Sequence, residues 1–228
     1  MSQQLLKWIQ TGATAEIADA VAQDPSLALW RDQNGVSALL WAVYMGQPLV
    51  RDFLLAQHSA VGQPLDIFEA ASIGDLPQLA QLLAGSPHVV EEKSGDGWTP
   101  LHLAAAFATP QAVAALLAAN APIAAVSANP QQNQPLHAAL ALGRNPDSIT
   151  LLLAAGANPN ATQAGGFTPI FSAAAANRRD LIDILLAHGA DPHRTTDLGQ
   201  SPASFARQRG FLNLADWLEA LPQGPPHS

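Results

Sequence analysis

The chain has 228 residues, of which 48% are hydrophobic and 12% charged, and its mean hydropathy is +0.10. That composition can supply a continuous buried core and excludes wholesale disorder. Ten Lys and Arg against 18 Asp and Glu leave a formal charge of −8 with no cysteine, which disfavours a nucleic-acid partner and excludes disulfides, thiolate metal sites and a cysteine nucleophile.

At the N terminus, MSQQLLKWIQTGATAEIADAVA (1–22) breaks its apolar residues with Gln, Lys, Glu and Asp. It lacks the apolar stretch of a signal peptide, and no later run approaches the roughly 18–20 residues that span a bilayer. A cytoplasmic protein with no membrane partner is expected. Leu5, Leu6 and Ile9 among Gln3, Gln4, Lys7, Glu16 and Gln23 suit a terminal unit that turns a polar face outward. Through the first half an echo recurs at 62 residues, pairing Gly12 with Gly74, Pro25 with Pro87, Gly35 with Gly97, Leu39 with Leu101 and Leu54 with Leu116. Two related units are therefore duplicated as a pair. Residues 1–114 carry four basic and eleven acidic side chains, against six and seven in residues 115–228. An acidic half suits a basic or neutral partner, or is simply a solvated surface that aids solubility.

A shorter period governs the rest. TPLHLAA (99–105), QPLHAAL (134–140), TPIFSAA (168–174) and SPASFAR (201–207) share Pro100, Pro135, Pro169 and Pro202, spaced by 35, 34 and 33 residues. Thr99 can cap a helix with its hydroxyl, and Pro100 stands where a missing N–H costs nothing. Leu101, Ala104 and Ala105 then share one helical face. Thr109-Pro110 and Asn145-Pro146 open second helices, and Gly156 and Gly189 are placed to end them in a left-handed conformation. NPNATQAGG and DPHRTTDLG supply the turns of projecting hairpins. No such unit buries enough apolar surface alone, so neighbours must stack.

TPLHLAA, LLAAGANPN, GGFTPIFSAAA and LIDILLAHGADP resemble the ankyrin repeat, as do DIFEAASIGDLPQLAQLL (66–83) and the N-terminal segment in a more divergent, bacterial style. Ala38 and Leu40 stand where the motif has Pro and His, Phe171 replaces the second His, and the last unit reads SPASFA. The resemblance implies an all-α ankyrin-repeat solenoid of about seven helix-turn-helix units. The expected units are 1–30, 31–62, 63–94, 95–128, 129–162, 163–195 and 196–221, in one domain (1–221) with a flexible tail at 222–228. It implies a monomeric scaffold that binds another protein or peptide without chemistry, needing no cofactor and no metal. His102 and His137 are implied to be structural, tying one unit's loop to the next, with Thr99 and Thr168 as caps. The binding surface is implied to be the concave first-helix face and the hairpin tips. There Tyr44, Met45, Ile73, Phe107 and Leu142 would form an apolar stripe, with Trp98 and Phe167 near the hairpins. The alternative is that these side chains tuck between units as core or cover hairpin backbone.

Chemistry has one foothold. His188, Asp191 and His193 in AHGADPH could hold a metal or serve an enzymatic accessory role, although one carboxylate and two imidazoles fall short of a closed zinc set. His58, His88 and His227 lie in loop or tail contexts. Nucleophile-elbow, phosphate-loop, dinucleotide and HExxH motifs are missing from the chain.

Overall fold

A computed structural model describes residues 2–143 and 145–222. All but the first residue of the segment expected as a tail lies outside them, as does His227. Fourteen α-helices are described, in seven consecutive pairs: α1 (Ser2–Thr11) with α2 (Thr14–Gln23), α3 (Ala38–Tyr44) with α4 (Pro48–Ala60), α5 (Ile67–Ile73) with α6 (Leu76–Gly85), and α7 (Pro100–Phe107) with α8 (Pro110–Ala118). α9 (Pro135–Ala138), α10 (Pro146–Ala154), α11 (Pro169–Ala175), α12 (Arg179–Ala187), α13 (Pro202–Gln208) and α14 (Leu212–Glu219) complete them. The odd-numbered helices stack in one row, each on the next. In the second row α2 meets α4, and α6, α8, α10 and α12 follow in succession. This is an all-α repeat solenoid.

The 62-residue echo is visible in the backbone. α2 returns as α6, the short 3-10 turn Pro25–Leu29 returns as Pro87–Glu91, and α3 and α4 begin again at α7 and α8, all at that offset.

Small residues make the close stacking possible. Ala42, Ala70, Ala71, Ala104, Ala105, Ala138, Ala139, Ala173 and Ala174 are fully or almost fully buried in the first row. Leucine and isoleucine fill the seam between rows: Leu54, Leu79, Leu116, Ile149, Leu152, Leu181, Leu185 and Leu218. Interdigitation of that kind reaches crystal-like density only when neighbouring units are present. Gly156 and Gly189 adopt φ of 100° and 88° just after α10 and α12, the left-handed exits their positions predict.

Most first-row helices from α3 onward start with a cap suited to their own sequence. Thr99 is in a reciprocal box with His102, whose Nδ1 accepts the Thr99 backbone N–H at 3.3 Å and lies 2.8 Å from Thr99 Oγ1. Ser37 Oγ accepts Leu40 N–H, and Ser201 Oγ accepts Ser204 N–H, both at 3.1 Å, so the units that lack the Pro–Leu–His pattern are still capped. In α5 the box is Asp66 with Glu69. Thr168 occupies the N-cap of α11, but Phe171 stands where an imidazole would be, and the Thr168 hydroxyl is buried without a hydrogen-bond partner.

Most connections that lead into a first-row helix form a hairpin. Asp32 N bonds Val36 O, Ser94 N bonds Trp98 O, Ser127 N bonds Asn133 O, Gln163 N bonds Phe167 O and Thr196 N bonds Gln200 O. Successive hairpins are laced together by Ala128 N to Gly97 O, Ala164 N to Gln131 O and Asp197 N to Gly165 O. The connection from α4 to α5, residues 61–66, is too short for one. The hairpins on either side therefore meet directly, and a Cβ on Gly95 would lie 1.7 Å from the Asn34 carbonyl oxygen. Only glycine fits there.

Candidate functional site

The first-row face carries two aromatic clusters. In one, Tyr44 at the end of α3 contacts Trp41 (5.8 Å between ring centroids), Trp98 (6.4 Å) and Phe107 (5.5 Å), and Trp98 stacks on Phe107 at 6.1 Å. Tyr44 reaches Phe107 across α5, whose facing residues Ala70, Ala71 and Ser72 are small and buried. In the other, Phe167, Phe171 and Phe205 meet edge to face at 5.4–5.8 Å. The single stripe expected from the sequence is thus divided, with Leu142 between the two clusters.

Exposure differs among the expected anchors. Leu142 is 53% exposed, in a π-type turn (Ala139–Gly143) that follows α9. Tyr44, Met45, Ile73, Phe107 and Phe167 are half-buried. Trp98 is only 9% exposed: it is the floor of its cluster and not a projecting anchor, because its hairpin sits directly against its neighbour. Val36 in the second unit's hairpin and Ala106 beside Phe107 are buried. Ile73 and Phe107 line an open depression of about 190 Å³ with Ala42, Val43, Pro48 and Arg51.

Hydrogen bonds hold the hairpins to this face. His102 Nε2–H donates to Asn133 O and His137 Nε2–H donates to Ala161 O, each at 3.0 Å, while Nδ1 of each accepts a backbone N–H of its own unit. The neutral His102 imidazole therefore joins its unit to the hairpin of the next, and that of His137 reaches the carbonyl of Ala161, just ahead of the following hairpin. Burial pushes both rings down to about 4, the carbonyl bonds opposing it only partly. Burial, with Asp96 nearby, raises the Tyr44 hydroxyl above the ordinary phenol range. No hydrogen bond of ordinary geometry reaches that hydroxyl.

A polar network at the third unit was not foreseen. Glu69 occupies the place that His102 takes one unit later, is 1% exposed, and accepts from Asp66 N at 3.0 Å and Arg31 Nη2 at 3.2 Å. Arg31 also pairs with Asp66 at 2.8 Å. Its signal was the D-x-x-E spacing at 66–69, which marks a capping box.

The histidine foothold for chemistry does not assemble. His188 Nδ1 turns back to Ile184 O at 2.9 Å, and His193 Nε2 bonds Leu221 O at 3.0 Å. Asp191 Oδ1 accepts the His193 backbone N–H. The two imidazoles are committed to different backbones, and among the described residues no group of three or more His, Asp or Glu side chains is placed to hold a metal ion. His58, expected in a loop, lies instead in the last turn of α4 and is buried with neither ring nitrogen hydrogen-bonded. No described helix is long and apolar enough to cross a membrane.

Comparison with protein families agrees with this architecture. A model described as ankyrin repeats (3 copies) matches residues 67–163, and one described as ankyrin repeats (many copies) matches residues 170–219. Comparison with curated proteins returned no match. Of the helices before residue 67, α2, α3 and α4 reappear at a 62-residue offset inside the first matched segment. With stacked helix pairs throughout the matched region, laced hairpins and two histidine-boxed caps, the chain belongs to the ankyrin-repeat family.

Proposed function

We propose that this chain is a non-enzymatic scaffold that binds another protein or peptide through the first-row helix face and the hairpin tips, as a monomer in the cytoplasm. Ankyrin repeats are generally protein–protein interaction modules. The observation that carries the reading is the partly open apolar surface formed by Tyr44, Ile73 and Phe107, extended by Leu142. Met45 and Phe167 flank it. Aromatic side chains already held by their neighbours lose little rotamer entropy when a partner arrives, and such anchors contribute roughly 2 kcal/mol or more each.

Affinity capture with the wild type beside Leu142→Asn and Tyr44→Ala/Phe107→Ala tests the reading, with circular dichroism reporting the fold of each variant. Loss of the same captured proteins in both folded variants is expected. Recovery of an unchanged set with both would remove this face as the docking surface. Light scattering checks the monomer.

A further inference from the structure

Resting on the binding role just proposed, the geometry points to an arginine of the partner as the group that seats on the Tyr44–Trp98–Phe107 cluster, its guanidinium against the carboxylates of Asp32 and Asp96. Because the third unit has no hairpin, the hairpins carrying these two residues meet directly at Asn34 and Gly95. Both carboxylates consequently act electrostatically on the same Tyr44 hydroxyl. Each is half-buried. Asp32 accepts from Asn34 N, Val36 N and Trp41 Nε1, and Asp96 accepts from Ser94 Oγ. Neither has a cationic partner among the described residues.

Three of the four Lys and Arg side chains in this half are committed elsewhere, the fourth being Lys7 on α1. Arg31 is held by Asp66 and Glu69, Arg51 by Asp52, and Lys93 Nζ by Val126 O. The C-terminal half behaves differently: Arg179 lies over the Trp217 ring at 4.2 Å and Arg209 over Phe205 at 4.9 Å. Aromatic faces there receive an internal guanidinium, whereas among the described residues none lies over Tyr44, Trp98 or Phe107. Ring quadrupoles and two uncompensated carboxylates attract the same ligand, and a planar guanidinium can stack and ion-pair at once where a compact ammonium cannot.

The test is selection of a phage-displayed random 12-residue peptide library on the wild-type protein. Binding of the enriched peptides to Asp96→Asn, Tyr44→Ala and Glu16→Gln is then measured. Glu16→Gln removes the same charge from α2, far along the sequence from the hairpins. Arginine-bearing peptides that weaken five- to tenfold on Asp96→Asn, weaken less than twofold on Glu16→Gln, and lose a further tenfold on arginine-to-citrulline exchange are expected. Peptides that need Tyr44 yet lack arginine, or that ignore Asp96→Asn, would overturn this inference and leave the protein-binding role intact. Equal weakening by both charge variants would reduce it to net charge and overturn it. Absence of any binder sensitive to Tyr44→Ala would sink both readings.

Discussion

Mild acid should loosen the hairpins before it titrates most carboxylates. His102 and His137 are fully buried and pushed down to about 4, against about 6.5 in an unfolded chain. Between those values the unfolded state takes up one more proton per histidine than the native state, so stability falls as pH drops from about 6.5 to about 4 and levels off below. At pH 5 an unfolded imidazole is almost fully protonated and a native one almost neutral, which costs about 2 kcal/mol per ring and about 4 kcal/mol for the pair relative to pH 7.5. The geometry explains the resistance. A second proton would sit on Nδ1, which already accepts a backbone N–H from Thr99 or Gln134. Equilibrium urea unfolding at pH 7.5 and pH 5.0 measures the difference, and stopping at pH 5 keeps most carboxylates ionised in both states. His102→Gln should show about half the wild-type pH loss, because one titrating ring is gone. A wild-type loss under about 1 kcal/mol, or an undiminished loss in His102→Gln, would refute the reasoning.

The two threonine caps should respond differently to the same change. Thr99→Val loses a buried bond to His102 and should cost about 1 kcal/mol, whereas Thr168→Val removes a hydroxyl that has no partner and should change stability by less than about 0.5 kcal/mol in urea unfolding. Gly95→Ala places a methyl where the Asn34 carbonyl already stands and should cost about 2 kcal/mol or more, read as a lower thermal midpoint. Arg31→Met leaves the buried Glu69 carboxylate with the Asp66 N–H alone. Because Arg31 is itself partly exposed, the expected cost is about 1–2 kcal/mol, below that for a fully buried pair, and an unchanged urea midpoint would contradict it.

Much of the fold was legible because repeat architecture is written in short-range patterns. Proline after Thr, Gln or Ser, paired alanines, leucine runs and a terminal glycine each encode one local event, and their recurrence encodes stacking. The 62-residue echo could be read for the same reason, since duplicated segments keep their local signals. The resemblance implied that His102 and His137 tie loops together, and both rings bond backbone carbonyls ahead of the next first-row helix. The spacing of His188, Asp191 and His193 kept a metal only as the alternative, because sequence proximity does not fix side-chain direction around a helix-ending turn: one ring folds back on its helix, and the other is held by the chain near Leu221.

The candidate surface was less legible. The ankyrin resemblance placed Tyr44, Phe107 and Leu142 off the stacking seam and Trp98 near a hairpin. It could not register that residues 61–66 are too short for a hairpin, so that the hairpins of Asn34 and Gly95 touch and Trp98 becomes a floor. Nor could it distinguish Arg209, which covers Phe205, from the absence of any such cation over Phe107 among the described residues. Sequence by itself determined the helices and their order, since these depend on neighbours a few residues away. Only the tertiary structure decided that Tyr44 meets Trp98 and Phe107, because those encounters join residues more than fifty positions apart through a gap that no local signal marks.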